Sequence, residues 1–396
     1  MLLWSGQVVS TVGSAASLIV YPLLILDLTS SPTAAGFVSA LRAIPYVIFS
    51  LPVGALIDRW DRKRVMILCD LGRAVVVLTV PVALRLNVLT IWQLYLAAFI
   101  EGSLFVFFNI AEVAALPRVV PAAQLPQAAA QNEAAFGAAE IVGPSVGTLL
   151  YQTLGRGVPF IADAISYLAS CVSLLFIRTN FQLAKVSPAR NLGTDIAEGM
   201  RWLWQQPLIR YMALLTGGVN LVNAAMPLIV IVLAKQLGAS DIEIGLIFSI
   251  GGIGGVVGSL VGGQVQTRFS FGQVIVFSMW TFAVSFPLYA LVPKYQLLAC
   301  VFAIFYVTNP IYNVVQFSYR LALIPDALQG RVNSTFRLLA FGFIPLGAAI
   351  AGLLLETVEP SLTVLIFALW YLLLAIITTF NDHVREARPL ERIESC

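Results

Sequence analysis

Three glutamates, Glu101, Glu133 and Glu140, stand inside stretches that are otherwise almost wholly apolar. A carboxyl group in a low-dielectric setting resists ionisation, so it can take up a proton on one side of a barrier and release it on the other. Acids within apolar spans are costly to keep and are functional suspects for that reason. Glu133 and Glu140 are seven residues apart, which places them on one face of a helix. Bland roles stand beside the chemical one: Glu133 is close enough to a span end to be wetted or paired with an arginine, and Glu140 can bond backbone beside Pro144. Other chemistries find no support. The sole histidine, His383, lies in a polar tail, and the four cysteines lack zinc or disulfide spacing. No lysine follows a glycine, so there is no phosphate-binding loop, and no nucleophile–base pair or cofactor motif appears. An enzyme is not expected, nor a bound cofactor or metal.

The elements that would hold these acids follow from composition. The 396 residues are 59% hydrophobic and 11% charged, against about a quarter charged in soluble proteins. A bilayer-crossing helix needs about 20 mostly apolar residues. Such runs number twelve, near 3–27, 35–57, 65–86, 90–115, 127–153, 158–178, 207–235, 243–264, 272–292, 295–323, 328–356 and 361–380. Met1-Leu2-Leu3-Trp4 enters the first run almost at once, with no sign of a cleavable leader. Sixteen Lys and Arg fall on the side of the even-numbered exits and four on the other, which places both termini in the cytoplasm. The net charge of +3 follows topology and makes no nucleic-acid footprint.

The longest polar stretch, 179–206, falls midway and reads as a cytoplasmic linker. Within it Ile196, Met200 and Leu203 share one helical face and Asp195, Glu198 and Arg201 another, the pattern of a helix lying on the inner membrane surface. The flanking halves, 1–178 and 207–380, are followed by a cytoplasmic tail, 381–396. They show matching landmarks: Gly54 with Gly262, Pro121 with Pro325, and Gly143 with Gly347. The expectation is an all-α membrane protein of twelve transmembrane helices in two pseudo-symmetric six-helix bundles, a plan common in secondary transporters.

Between the second and third spans, "GALIDRWDRKR" (54–64) packs six charges into seven positions. Gly54, Asp58, Arg59, Arg62 and Lys63 resemble the loop signature of the major facilitator superfamily, with Asp61 where glycine is usual. "DLTSSPTAAG" (27–36), "ALRAIP" (40–45), "LPRVVPAAQLPQAAA" (116–130), "VGPSVG" (142–147), "FIADAISYLAS" (160–170) and "QGRVNSTFRLLAFGFIPLG" (329–347) resemble its drug, macrolide and siderophore exporter branch. The resemblance implies that Asp58 locks the inner ends of the two halves, with Asp70 and Arg73 as partners, whereas topology alone would account for the basic residues. Arg42 and Arg337 are further charges within spans; Arg337 is expected to pair with an inner acid or to snorkel.

Gly143, Pro144 and Gly147 resemble the antiporter motif found in exporters of that superfamily, with Thr148 in place of its final glycine. Close packing of small residues around a proline bend is the plainer reading. With no ATP site, a proton gradient is the expected power source. One proton crossing about 100 mV and one pH unit supplies about 3.7 kcal/mol. The first half holds the deep acids. Cavity candidates there are Phe105, Phe108, Asn109 and Phe136, and in the second half Asn220, Asn223, Phe305, Tyr306, Asn309 and Tyr312. Aromatic faces with scattered amides suit a small amphiphilic organic substrate. The expected partners are that substrate, protons and the lipid bilayer of a prokaryotic plasma membrane, and a monomer suffices. The alternatives are a lysophospholipid flippase and a membrane scaffold that keeps only the fold. Asp163 and Asp27 read as structural residues near the outer helix ends.

Overall fold

An apolar segment in a bilayer must satisfy every backbone N–H and C=O internally, and a helix does so within one segment. The computed structural model describes residues 2–57, 59–120, 124–177, 181, 192–325 and 328–387, and no strand occurs among them. Six long helices come first: α1 (Leu2–Thr29), α2 (Pro32–Ile57), α3 (Arg62–Arg85), α4 (Ile91–Val119), α5 (Leu125–Leu154) and α6 (Val158–Phe176). A short helix, α7 (Leu192–Gln205), precedes α8 (Pro207–Gln236), α9 (Asp241–Arg268), α10 (Phe271–Ser285), α11 (Leu288–Leu291) and α12 (Tyr295–Leu323). The chain ends with α13 (Gln329–Gly342), α14 (Ile344–Thr357), α15 (Pro360–Phe380) and α16 (Asp382–Arg385).

Among the described residues, eleven spans are long and apolar enough to cross a membrane. The pairs α10–α11 and α13–α14 each make one span, broken beside Pro287 and Pro345, where the ring removes a backbone donor. The 30-residue α5 completes the expected twelve; Glu133, Glu140 and its amide side chains make it more polar than the others.

The chain forms two compact units, one of residues 1–190 with 240–249, the other of 191–239 with 250–396. Each repeats one contact. In the first unit a Cβ at Gly143 of α5 would overlap Ala15 of α1, and in the second a Cβ at Gly347 of α14 would overlap the Leu221 carbonyl of α8. Backbones approach this closely only where the side chain is absent. The landmarks Gly143 and Gly347 are thus equivalent joints between the first and fifth spans of their own units. An apolar plug that includes Val53, Ile57, Met66, Phe108, Leu174 and Phe181 fills the first unit beside the charged loop. The linker helix α7 packs on its own unit rather than standing apart. Leu203 is fully buried, Gly199 abuts the Arg331 carbonyl, and Glu198 pairs with Arg331 of α13 at 2.5 Å.

Candidate functional site: a buried charge cluster in the first unit

Polar residues on apolar helices are brought together when each repeats every three or four positions. On α1 these are Ser14, Ser17 and Tyr21, and on α6 Asp163, Ser166, Tyr167 and Ser170. The third contribution comes from α2 and α4, whose backbones touch: a Cβ at Gly102 would overlap the Arg42 carbonyl. That approach sets Glu101 against Arg42. The Arg42 guanidinium donates to Glu101 Oε1 at 2.7 Å, and the Tyr167 hydroxyl donates to the same oxygen at 3.0 Å. Ser14 lies 2.9 Å from the Tyr167 hydroxyl. Nearby, Ser17 donates to Asp163 Oδ2 at 2.5 Å. Glu101 is 1% exposed and Asp163 not at all, so neither carboxyl is bathed by solvent.

A second buried pair adjoins the first. Arg73 donates to Asp70 one turn earlier on α3, and its guanidinium lies 4.3 Å from the Tyr167 ring and 4.6 Å from the Phe108 ring. Tyr167 therefore touches both ion pairs, one through its hydroxyl and one through its face. A buried pair is a poor source of net stability, because desolvation offsets much of the attraction, whereas removing one partner strands a charge. Among the described residues Glu101 Oε2 and Asp70 Oδ2 are buried with no hydrogen-bond partner. Glu112, eleven residues after Glu101 on α4, is also buried. One carboxylate oxygen of Glu101 thus serves both the Arg42 guanidinium and the Tyr167 hydroxyl.

The charged loop is anchored on helix ends. Arg62 donates to the Ala114 carbonyl of α4 at 2.7 Å and Lys63 to the Ile177 carbonyl past α6 at 2.6 Å. Cations there meet both unpaired carbonyls and the negative end of the helix dipole. Asp61 caps α3 by accepting from the Arg64 amide at 3.0 Å, which gives the departure from the usual glycine a local purpose. Arg59 is exposed, Gly54 has open space around it, and Asp58 lies outside the described residues.

The family model described as transmembrane secretion effector matches residues 1–395. The chain belongs to that family. Its members are major facilitator transporters, not enzymes. The multidrug efflux pump Tap of Mycolicibacterium fortuitum is 28% identical over 98% of this chain and 96% of its own. Macrolide efflux protein A of Streptococcus pyogenes is 24% identical over 97% and 96%. The enterobactin exporter EntS of Shigella boydii serotype 18 is 24% identical over 84% and 79%. Among solved structures, the nucleoside transporter NupG superposes with a TM-score of 0.79 at 15% identity, over 98% of this chain and 99% of that one. This shows the fold alone.

In this transporter Gly143 and Gly147, in the stretch that resembles the antiporter motif, abut α1, Pro144 is buried, and Thr148 donates to the Pro144 carbonyl at 2.9 Å. Glu140 and Phe136 lie on an exposed face of α5, and the Glu133 side chain falls outside the described residues. Of the cavity candidates, Phe108, Phe305 and Tyr312 are packed inside their own units and are withdrawn from an accessible wall. Phe108 sits under Arg73, Phe305 joins a ring cluster with Phe282, Phe286 and Tyr371, and Tyr312 bonds Thr216 at 2.8 Å. Asn220 holds the Ala340 carbonyl at 2.9 Å and Asn223 accepts from Tyr371 at 3.4 Å. Asn309 accepts from Asn313 at 2.8 Å, and Phe105 keeps an exposed ring. Asn109 and Tyr306 are half-buried. Arg337 is exposed, 5.6 Å from the Phe341 ring.

The structure also moves Asp163 from a helix-end residue to the heart of the cluster, while Asp27 stays near the end of α1, accepting from Tyr151 at 2.7 Å. Sequence reasoning missed Tyr167, Glu112 and Asp163, although the polar stripes on α1 and α6 carry the signal.

Proposed function

We propose that this transporter exports amphiphilic organic compounds by proton antiport with alternating access, from a prokaryotic plasma membrane with both termini cytoplasmic. The observation that carries the coupling half is the Arg42–Glu101–Tyr167 junction, with Asp163 beside it. Glu101 and Asp163 are both buried, and protonating Glu101 would remove the counter-charge of Arg42. Glu101 is the coupling acid; Glu140, on an exposed face, serves the substrate path. Asp58 holds the inner gate. Export, as opposed to uptake, draws support from the Gly143-Pro144 joint and from relatives named for drug, macrolide and enterobactin export.

The test is proteoliposomes with an imposed pH gradient and a panel of amphiphilic dyes, macrolides and siderophores. Uptake into inverted vesicles that follows the gradient, with matching proton release, supports the reading. Substrate movement indifferent to the gradient overturns proton antiport, and lysolipid movement between leaflets in its place establishes the flippase alternative.

A further inference from the structure

The second unit holds a buried cation that the described residues leave without a carboxylate. Arg320, in the last turn of α12, is 5% exposed. Its guanidinium lies 3.8 Å from the Phe336 ring of α13 and 5.3 Å from the Phe317 ring. It makes no ion pair among the described residues, and its Nε has no hydrogen-bond partner. One turn earlier, on the same face of α12, the Nε2 of Gln316 is also buried without a partner. On α13, one turn before Phe336, the side-chain oxygen of Asn333 is buried and unpartnered too. An amide turned about its last bond exchanges oxygen for NH2, so Asn333 offers a donor as readily as an acceptor.

Each orphaned buried polar group is costly, and an unpaired buried charge costs more. Stacking on Phe336 offsets part of this, because a ring face attracts a cation. It leaves the in-plane donors of the guanidinium unused, and those donors match a two-oxygen anion. Gln316 adds a neutral donor on one side, and the exposed Arg337, one position past Phe336, raises the positive potential. Phe317, half exposed, supplies apolar surface beside the charge, while Phe336 is buried beneath the guanidinium.

We propose that Gln316, Arg320 and Asn333 bind the anionic group, a carboxylate or a phosphate monoester, of an amphiphile whose apolar part lies along the exposed Phe317 ring. This rests on the reading of the protein as a transporter of amphiphiles and narrows its substrates to those with an anionic head. The same chemistry is offered by an anionic phospholipid of the membrane, and the experiment separates the two.

Full-length protein in phosphatidylcholine nanodiscs is titrated with decyl phosphate and with decyltrimethylammonium, with empty nanodiscs as the partition control. Decyl phosphate is expected to bind at least tenfold more tightly than the cation, and Arg320→Gln to remove that preference. Arg320→Lys should keep part of it, as a point charge without the fork. If Arg320→Gln does not fold, Gln316→Leu, which leaves the cation in place, is expected to weaken decyl phosphate several-fold and the cation not at all. Nanodiscs containing phosphatidic acid, whose head is a phosphate monoester, should compete with decyl phosphate if the headgroup of a membrane lipid is the occupant, and should leave the titration unchanged if a transported solute is. Equal binding of the two decyl compounds, or full anion preference in folded Arg320→Gln, overturns the site. Binding is read without a gradient, so a failure of proton-driven export would leave this result standing and fall on the functional reading alone.

Discussion

The two units share a scaffold and differ in what they bury. The first encloses two arginine–carboxylate pairs, Arg42–Glu101 and Arg73–Asp70, with Asp163 and Glu112 beside them. The second encloses a ring cluster of Phe282, Phe286, Phe305 and Tyr371, and its deepest charge is Arg320. Yet both join their first and fifth spans through a glycine, Gly143 in one and Gly347 in the other. The joint is the same while the interiors differ. One interior holds paired charges; the other holds packed rings and, among the described residues, one buried cation.

That contrast yields expectations that can be ranked. The largest effect belongs to the charged interior: Arg42→Leu leaves Glu101 buried without its cation and should lower stability by about 3–5 kcal/mol. Phe286→Ala in the ring cluster should cost a similar about 3–5 kcal/mol by opening a cavity, but without altering any dependence of transport on the pH gradient. Thermal unfolding in nanodiscs and vesicle transport, measured on the same preparations, separate the two. If Phe286→Ala removed gradient dependence, the division of labour would fail.

The shared frame should respond alike in both units. Gly143→Val and Gly347→Val each force a side chain into a neighbouring backbone and should each cost about 1–3 kcal/mol; a loss confined to one unit would break the equivalence. Smaller still is a pair of hydroxyl deletions. Tyr167→Phe removes a buried bond to a charged oxygen and should cost about 1.5–3 kcal/mol, whereas Tyr371→Phe, which gives up a 3.4 Å bond to Asn223, should cost under about 1 kcal/mol. At the small end, Asp61→Ala removes the cap of α3 and should cost about 1 kcal/mol.

The all-helical transporter fold and the correspondence of Gly143 with Gly347 were legible in the sequence because each is local or periodic. Arg42 and Glu101 were visible as charges within spans, but their pairing was not. It depends on Gly102 letting α4 approach α2, a contact 60 residues apart in the chain. Asp163 was misread because distance from a helix end was taken as depth, while burial is set by which face of α6 meets α1. Phe305 and Tyr312 looked like cavity walls for the same reason: an aromatic on a span does not declare whether it faces a solute or its neighbours. Arg320, at the end of the expected span 295–323, is covered by Phe336, which only tertiary packing reveals.

The central claim is that the first unit's buried pair couples protons to transport, and Glu101→Gln tests it most directly. The glutamine keeps the shape and can still accept from Arg42 and Tyr167, but it cannot exchange a proton. Gradient-driven accumulation and gradient-free exchange of labelled substrate would be measured in the same proteoliposomes. The account predicts that accumulation is lost while exchange continues, because exchange needs only the moving carrier. Accumulation at the wild-type level in a folded Glu101→Gln protein would contradict it.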